Sequence, residues 1–219
     1  MAKKATRLAH QSAVRLVEAP STQTLKLDLA CGQHLKEGFE GVDLYGSVAK
    51  HKVDLLKFPW PWADNSVDEL HCSHFLEHVP AREVETRDLH GTVVTTQHAH
   101  FLGQDMLFAV MDECWRILKP DAWMTVVVPS GRSNRAFWDP THRRFFMQET
   151  FLYFAHEWRK LNGLDHYNVH CNFGVDVGHS VPQEESLRSA EAQADRFQHY
   201  WNVTFDWIAK LKKMPRAGG

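Results

Sequence analysis

The sequence has little of what marks a membrane, secreted or strongly charged protein. No apolar run approaches the length of a membrane-spanning helix, and the first residues contain no apolar segment of signal-peptide length. The formal net charge of −2 gives no overall positive field toward nucleic acid, so a local basic patch is the remaining route to it. We therefore expect a soluble protein with no membrane partner.

Cysteine is also scarce. The four cysteines are scattered and form no CxxC pair, so they fit no disulfide framework. This favours a cytoplasmic protein with reduced thiols. By contrast, the chain has 219 residues, 43% of them hydrophobic, which is enough for one domain with a sizeable core.

The most informative stretch is residues 25–46, LKLDLACGQHLKEGFEGVDLYG. A short apolar run containing Asp28 ends in small residues and Gly32, and a second run follows with Asp43. In an open α/β sheet, a glycine after one strand lets the backbone approach a ligand, and an acid after the next strand can bind a ribose. The stretch therefore predicts a nucleoside-binding crevice.

Further segments follow in a recognisable order: FPWPWADNSVDELHCSHFLEHV, ECWRILKPDAW and VVVPSG. Together with residues 25–46 they resemble the class I S-adenosylmethionine-dependent methyltransferases, closely over residues 25–131 and more loosely beyond. The resemblance is to the type 11-like enzymes, and the DPTH segment is similar to one in bacterial and phage methyltransferases. It implies an α/β fold with a Rossmann-like seven-stranded mixed sheet, helices on both faces and a C-terminal antiparallel strand pair.

The hydrophobic pattern fits an alternation of strands and connectors. Strands are predicted over residues 25–29, 41–43, 52–54, 68–72 and 123–128, and alternation predicts two more over 167–177 and 203–211. Helices are predicted over residues 107–118, 148–159 and 183–199. The link from Gly32 to Gly41 is too short for a helical crossover, so the first helix is expected to be a turn or missing.

Two segments stand apart from the predicted methyltransferase domain, residues 25–214. Residues 1–24 form a basic arm, which is either a partly ordered tail or a short helix over the cofactor site. An insertion at about 80–101 is polar and lacks helical period, and it lies either near the substrate mouth or in a plain surface excursion.

The resemblance also implies a cofactor site for S-adenosylmethionine. Asp28 and the following backbone would face the methionine end, Asp43 would accept hydrogen bonds from both ribose hydroxyls, and Asp54 would receive the adenine amino group. Asp28 as a turn cap and Asp54 as a solvated carboxylate are the alternatives. The expected cofactor residues are Asp28, Ala30, Cys31, Gly32, Asp43, Leu44, Asp54, Leu55 and Ser73.

The segment SGRSNRAFWDPTHRRFF, residues 130–146, is expected to overhang the acceptor pocket. His142 is the predicted general base, because its ordinary pKa suits that task. Asp139 and His74 complete the catalytic candidates, although Asp139 before Pro140 could instead form a turn. The substrate-binding candidates are His78, Asn134, Arg135 and Arg143.

The histidines and cysteine around the predicted fourth strand, namely His71, Cys72, His74 and His78, could indicate a zinc site. Their spacing matches no standard ligand pair, and strand alternation turns His71 and Cys72 to opposite faces. No metal is therefore predicted.

The leading functional hypothesis is methyl transfer to a small polar acceptor, such as a sugar, nucleotide or related metabolite. A DNA or RNA methyltransferase is the first alternative: the basic arm and the arginine cluster of Arg132, Arg135, Arg143 and Arg144 favour it. Against it, the Asn/Asp-Pro-Pro-aromatic tetrapeptide of such enzymes is replaced by the sequence CSHF at residues 72–75. The second alternative is a methyltransferase-like module that binds without turnover.

Overall fold

The structure is a computed structural model that describes residues 24–81, 83–85 and 103–216. The predicted basic arm over residues 1–24 and the insertion over about 80–101 lie almost entirely outside the described residues. In the described part of the chain, no helix is long and apolar enough to cross a membrane.

Eight strands and four α-helices make up the regular structure of the described residues. The strands are β1 (Lys26–Leu29), β2 (Glu40–Val42), β3 (Val67–Ser73), β4 (Glu83–Glu85), β5 (Gly103–Asp105), β6 (Leu118–Pro129), β7 (Phe173–Ser180) and β8 (Asp206–Lys213). The helices are α1 (Met106–Ile117), α2 (His156–Leu161), α3 (Gln183–Ser186) and α4 (Ala190–His199). Short 3-10 turns span Leu76–His78, Asn134–Ala136, Gln148–Phe154 and Asp165–Tyr167.

Six of these strands form one mixed sheet in the order β2-β1-β3-β6-β8-β7. The first four are parallel, and β8 runs antiparallel to both of its neighbours. The predicted mixed sheet with a C-terminal antiparallel pair is therefore confirmed. The remaining strands, β4 and β5, pair antiparallel as a separate ribbon.

The predicted seven strands become six in the main sheet of the described residues. Where a strand was expected over residues 52–54, there is a single parallel bridge between His51 and Val42. Asp54 instead closes a turn, because its Oδ1 accepts a hydrogen bond from Leu56 N at 3.1 Å. Such a local bond competes with a strand ladder and ends the pairing early.

The first crossover has no helix, as predicted. Residues 30–39 form turns, in which Ala30 and Gly32 both adopt a φ of 54°. This left-handed region is costly for alanine, so the tight turn directly after β1 holds the chain in a conformation that only local contacts can enforce.

The later elements are shifted or broken relative to their predictions. Helix α1 begins beside the predicted position, with Asp105 capping it by accepting from Leu107 N at 2.8 Å. The helix predicted over 148–159 is a 3-10 turn followed by α2, and the helix predicted over 183–199 is split into α3 and α4.

The strand predicted over 167–177 begins only at Phe173, because the Asp112 carboxylate accepts hydrogen bonds from the amides of His170 and Cys171. The final strand lies at Asp206–Lys213 rather than 203–211.

The core combines residues of α1, of the sheet strands and of the loops around them, and Arg159 is a cation buried beside it. Arg159 is only 2% exposed, and its guanidinium donates to the carbonyl oxygens of Tyr153, Val169 and Cys171 at 2.6, 3.3 and 3.0 Å. Within the described part of the chain, these bonds satisfy a buried charge without a carboxylate, and they fasten the segment before β7 to α2.

Candidate functional site

The carboxyl ends of the parallel strands β2, β1, β3 and β6 meet at one edge of the sheet, where ligands bind in open α/β folds. The register places Asp28 beside Gly41 on one neighbour and His71 on the other. The turn after β1 therefore lies between the chain that leaves β2 and the chain that leaves β3.

Asp43, directly after β2, is bonded to the turn after β1. Its Oδ2 accepts from Gly32 N at 3.1 Å, while Oδ1 accepts from Tyr45 N at 2.8 Å and Gly46 N at 2.9 Å. Burial opposes ionisation of this carboxyl, but the three amides outweigh it and lower the pKa of Asp43 below its usual value. The structure thus brings Gly32 and Asp43 together as an ionised carboxylate on a glycine turn.

Gly46 lies against the same turn. A Cβ atom at this position would be 2.5 Å from the carbonyl oxygen of Gly32 and 3.2 Å from the Asp43 side chain. Only glycine allows the two backbone segments to approach this closely.

Asp28 is buried, and each of its two carboxylate oxygens has a hydrogen-bond partner. Its Oδ1 lies 2.7 Å from His71 Nδ1, and its Oδ2 accepts from Lys36 N at 2.8 Å. Asp28 therefore ties the first crossover to β3.

The other predicted cofactor residues surround this turn. Cys31 is buried, and desolvation, followed by the charges of Asp28 and Asp43, raises the pKa of its thiol. Leu44 is 42% exposed beside the Asp43 loop. The remaining residues lie nearby along the strand ends: Ala30 in the turn after β1, Asp54 and Leu55 in the turn after the His51 bridge, and Ser73 at the end of β3.

The chain leaving β3 bends at once toward the loop after β6. His74 adopts a φ of 54°, and its Nδ1 lies 3.1 Å from Oε1 of the buried Glu77. This hydrogen bond raises the pKa of His74 above its usual value. The carbonyl of Glu77 accepts from Arg143 N at 2.7 Å and Arg144 N at 3.0 Å, which fixes the two loops against each other.

These bonds bring His78 and His142 together. The ring centroids are 4.7 Å apart in an edge arrangement, and His142 Nδ1 lies 2.9 Å from the carbonyl oxygen of Ala136. Thr141 links His78 to Asp139, since its hydroxyl oxygen lies 2.9 Å from His78 Nδ1 and donates to Asp139 Oδ1 at 2.7 Å. His142 Nε2 lies 3.9 Å from the other oxygen of Asp139.

The side chains of two substrate-binding candidates bond to other residues of the fold. Arg135 pairs with Asp206 at 2.8 Å, and the Asn134 side chain accepts from Trp201 Nε1 at 2.6 Å. Arg143 is exposed, and within the described ranges its side chain makes no ion pair. The candidates that remain at this loop are Arg143, His78, His142 and Asp139.

Sequence reasoning missed Glu77 and Thr141. Glu77 lies in the LEH sequence that carried part of the resemblance, so its place in that segment was a usable signal. Thr141 gave no such signal, because its role depends on a histidine that lies 63 positions earlier in the chain.

Solved structures were compared with this arrangement. An S-adenosylmethionine-dependent methyltransferase from Archaeoglobus fulgidus is 19% identical with a TM-score of 0.54, covering 87% of this chain and 86% of its own. One from Mesorhizobium loti is 12% identical with a TM-score of 0.44, covering 86% and 90%. Neither a family model nor a curated protein matches the chain. The first of these likenesses shows that the chain has the fold of an S-adenosylmethionine-dependent methyltransferase.

Proposed function

We propose that this protein transfers a methyl group from S-adenosylmethionine to a small polar acceptor in the cytoplasm, as a type 11-like methyltransferase. The observation that carries the proposal is the contact of the Asp43 carboxylate with the Gly32 amide across the ends of β1 and β2. At this edge of the sheet, an ionised carboxylate on a glycine turn can accept hydrogen bonds from a ribose, and the turn can lie against the charged methionine end of the cofactor.

Nucleoside binding requires Asp43 to exchange partners. A carboxylate has about four acceptor positions, and three are taken by backbone amides. Two ribose hydroxyls therefore displace at least one amide. Gly46 is buried against the Gly32 turn, whereas Tyr45 is 87% exposed, so the Tyr45 amide is the one that the ribose displaces while the Gly32 bond stays.

Methyl transfer is an in-line displacement on a donor that is already activated by its positive charge. The protein's main tasks are to align the partners and to remove a proton where the acceptor carries one. His142 is placed for the second task, because Nδ1 is held by the Ala136 carbonyl and Nε2 keeps its lone pair. Asp139 stabilises the charged imidazole, while Arg143 and His78 contact the acceptor.

The arginine cluster favours a small acceptor over DNA or RNA. Arg132 donates to the carbonyls of residues 197, 198 and 200, Arg135 pairs with Asp206, and Arg144 binds carbonyls before the insertion. Only Arg143 of the four is left to follow a phosphate backbone, and one cation gives a weak electrostatic footprint.

Calorimetry with S-adenosylmethionine and S-adenosylhomocysteine tests the cofactor assignment. The variant Asp43→Asn should bind at least tenfold more weakly, since each charge-assisted hydrogen bond contributes about 1.5 to 3 kcal/mol. Asp68→Asn is the matched control, because Asp68 also accepts from a backbone amide, that of Leu25, but at the opposite end of β3. Equal affinities of both variants and the native protein would place the ribose elsewhere.

Transfer of a tritiated methyl group then separates the activities. Labelled product in a small-metabolite extract supports the proposal, whereas label only in oligonucleotides, with steeply salt-dependent binding, supports the nucleic-acid alternative. Tight cofactor binding with no labelled product in either pool identifies a non-catalytic binding module.

A further inference from the structure

Three potential ligands converge on the acceptor side of the sheet edge. One carboxylate oxygen of Glu77 and one ring nitrogen each of His78 and His142 all lie within 4.8 Å of one another. Around a tetrahedral zinc, with bonds of about 2.0 to 2.2 Å, ligand atoms are roughly 3.4 Å apart. A modest inward movement of the side chains would therefore complete such a shell.

The outer hydrogen bonds of both histidines set their tautomers. His142 Nδ1 can only donate to the Ala136 carbonyl, so Nε2 carries the lone pair. The Thr141 hydroxyl gives its hydrogen to Asp139 and therefore accepts from His78 Nδ1. In the neutral form of each ring, Nε2 is therefore the nitrogen with the lone pair, and Nδ1 is held by an outer hydrogen bond as in metal-binding histidines.

Glu77 supplies the independent observation. The residue is 1% exposed, and its Oε1 is bonded to His74. Its Oε2 is buried without a hydrogen-bond partner among the described residues. A buried carboxylate oxygen with no partner is costly, and a bound cation would remove that cost.

We propose that Glu77, His78 and His142 bind one divalent transition-metal ion, with Zn²⁺ as the representative species. Two imidazoles and a carboxylate suit zinc and its neighbours better than magnesium or calcium. Three protein ligands leave one position open, which is the pattern of catalytic rather than structural zinc sites. This set differs from the histidines and cysteine considered in the sequence, because His71 turns to Asp28 and His142 comes from a distant loop.

The open position would take the acceptor, a step that rests on the proposed methyl transfer. An acceptor hydroxyl on the metal loses its proton more readily, and Asp139 takes that proton. The oxygen then bonds to the methyl carbon as the carbon–sulfur bond breaks, and S-adenosylhomocysteine leaves. With metal bound, His142 is a ligand, so it no longer acts as the general base.

The test is zinc binding by the untagged full chain after chelator treatment, measured by calorimetry without S-adenosylmethionine. We expect one ion per chain, with affinity at least 100-fold lower in Glu77→Gln and in His142→Asn. His199→Asn, which alters an exposed histidine in α4, should bind normally. Zinc binding that is absent, or unchanged in both ligand variants, overturns the site.

Two further measurements guard against misfolding and incidental binding. Cobalt substitution should give the visible absorption of a four-coordinate site, and Thr141→Val should weaken zinc binding about tenfold by releasing the His78 tautomer. Cobalt that stays six-coordinate contradicts the proposal. Zinc binding without methyl transfer leaves this site standing and removes the proposed function; methyl transfer by a chain that binds no zinc does the reverse.

Discussion

Replacing Asp43 with asparagine should destabilise the fold even without a ligand. The carboxylate accepts three backbone amides, at 3.1, 2.8 and 2.9 Å. A carboxamide has one oxygen, which can accept two of them at most, and its NH₂ group would face the third donor. Hydrogen bonds to a charged group contribute about 1.5 to 3 kcal/mol each. Because the site is half-buried, we expect Asp43→Asn to lose about 2 kcal/mol of unfolding free energy at pH 7.

The loss should depend on pH with a definite sign. The folded-state pKa of Asp43 is lowered, so its stabilisation is fully present above the unfolded pKa of about 3.9 and is lost as pH falls through the folded value. The difference between the native protein and Asp43→Asn should therefore be constant from pH 7 to pH 5. It should shrink steadily below pH 4.

Urea unfolding at several pH values measures this difference, and thermal unfolding should show a shift of about 4 to 8 °C at pH 7. Asp68→Asn again serves as the control, because it also removes a carboxylate that accepts a backbone amide but should leave cofactor affinity intact. Equal stability of Asp43→Asn and the native protein at pH 7, or a difference that persists unchanged to pH 2.5, would refute the hydrogen-bonding account.

Two other substitutions test packing. Arg159→Met should lower the unfolding free energy by about 3 kcal/mol in urea, since three carbonyls lose their donor; a loss below 1 kcal/mol would show that they find other partners. Gly46→Ala should lower the melting temperature and weaken S-adenosylmethionine binding together, because the new methyl group meets the Gly32 carbonyl. An unchanged melting temperature in a thermal scan would mean that the loop yields without cost.

The sequence was sufficient for the four parallel strands of the sheet and for the first crossover, although the strand predicted over residues 52–54 is absent. Short runs with apolar residues leave few alternatives to β1, β2, β3 and β6, and the short link between Gly32 and Gly41 leaves no room for a helix. Elements defined by local pattern and chain length were thus predictable.

Elements that depend on distant side chains were not predictable from the sequence. Alternation extends through residues 167–172, yet Asp112 of α1 takes two of the amides that a strand would need there. The same limit applies at the site, where His142 was expected as a base and the proximity of Glu77 became visible only in three dimensions. Hydrogen-bond competition between remote residues is not encoded in periodicity.

The pairing of β4 with β5 allows the segment between these two strands to vary in length. Glu83 pairs with Asp105 and Glu85 with Gly103. The Arg144 guanidinium donates to the carbonyls of Val79 and Pro80 before the ribbon and to the carboxylate of Asp105 at its end. The intervening chain therefore leaves and re-enters the domain at nearly one point. Lengthening, shortening or exchanging it adds only a small closure entropy, so evolution or an engineer can insert different segments there while the rest of the domain stays intact.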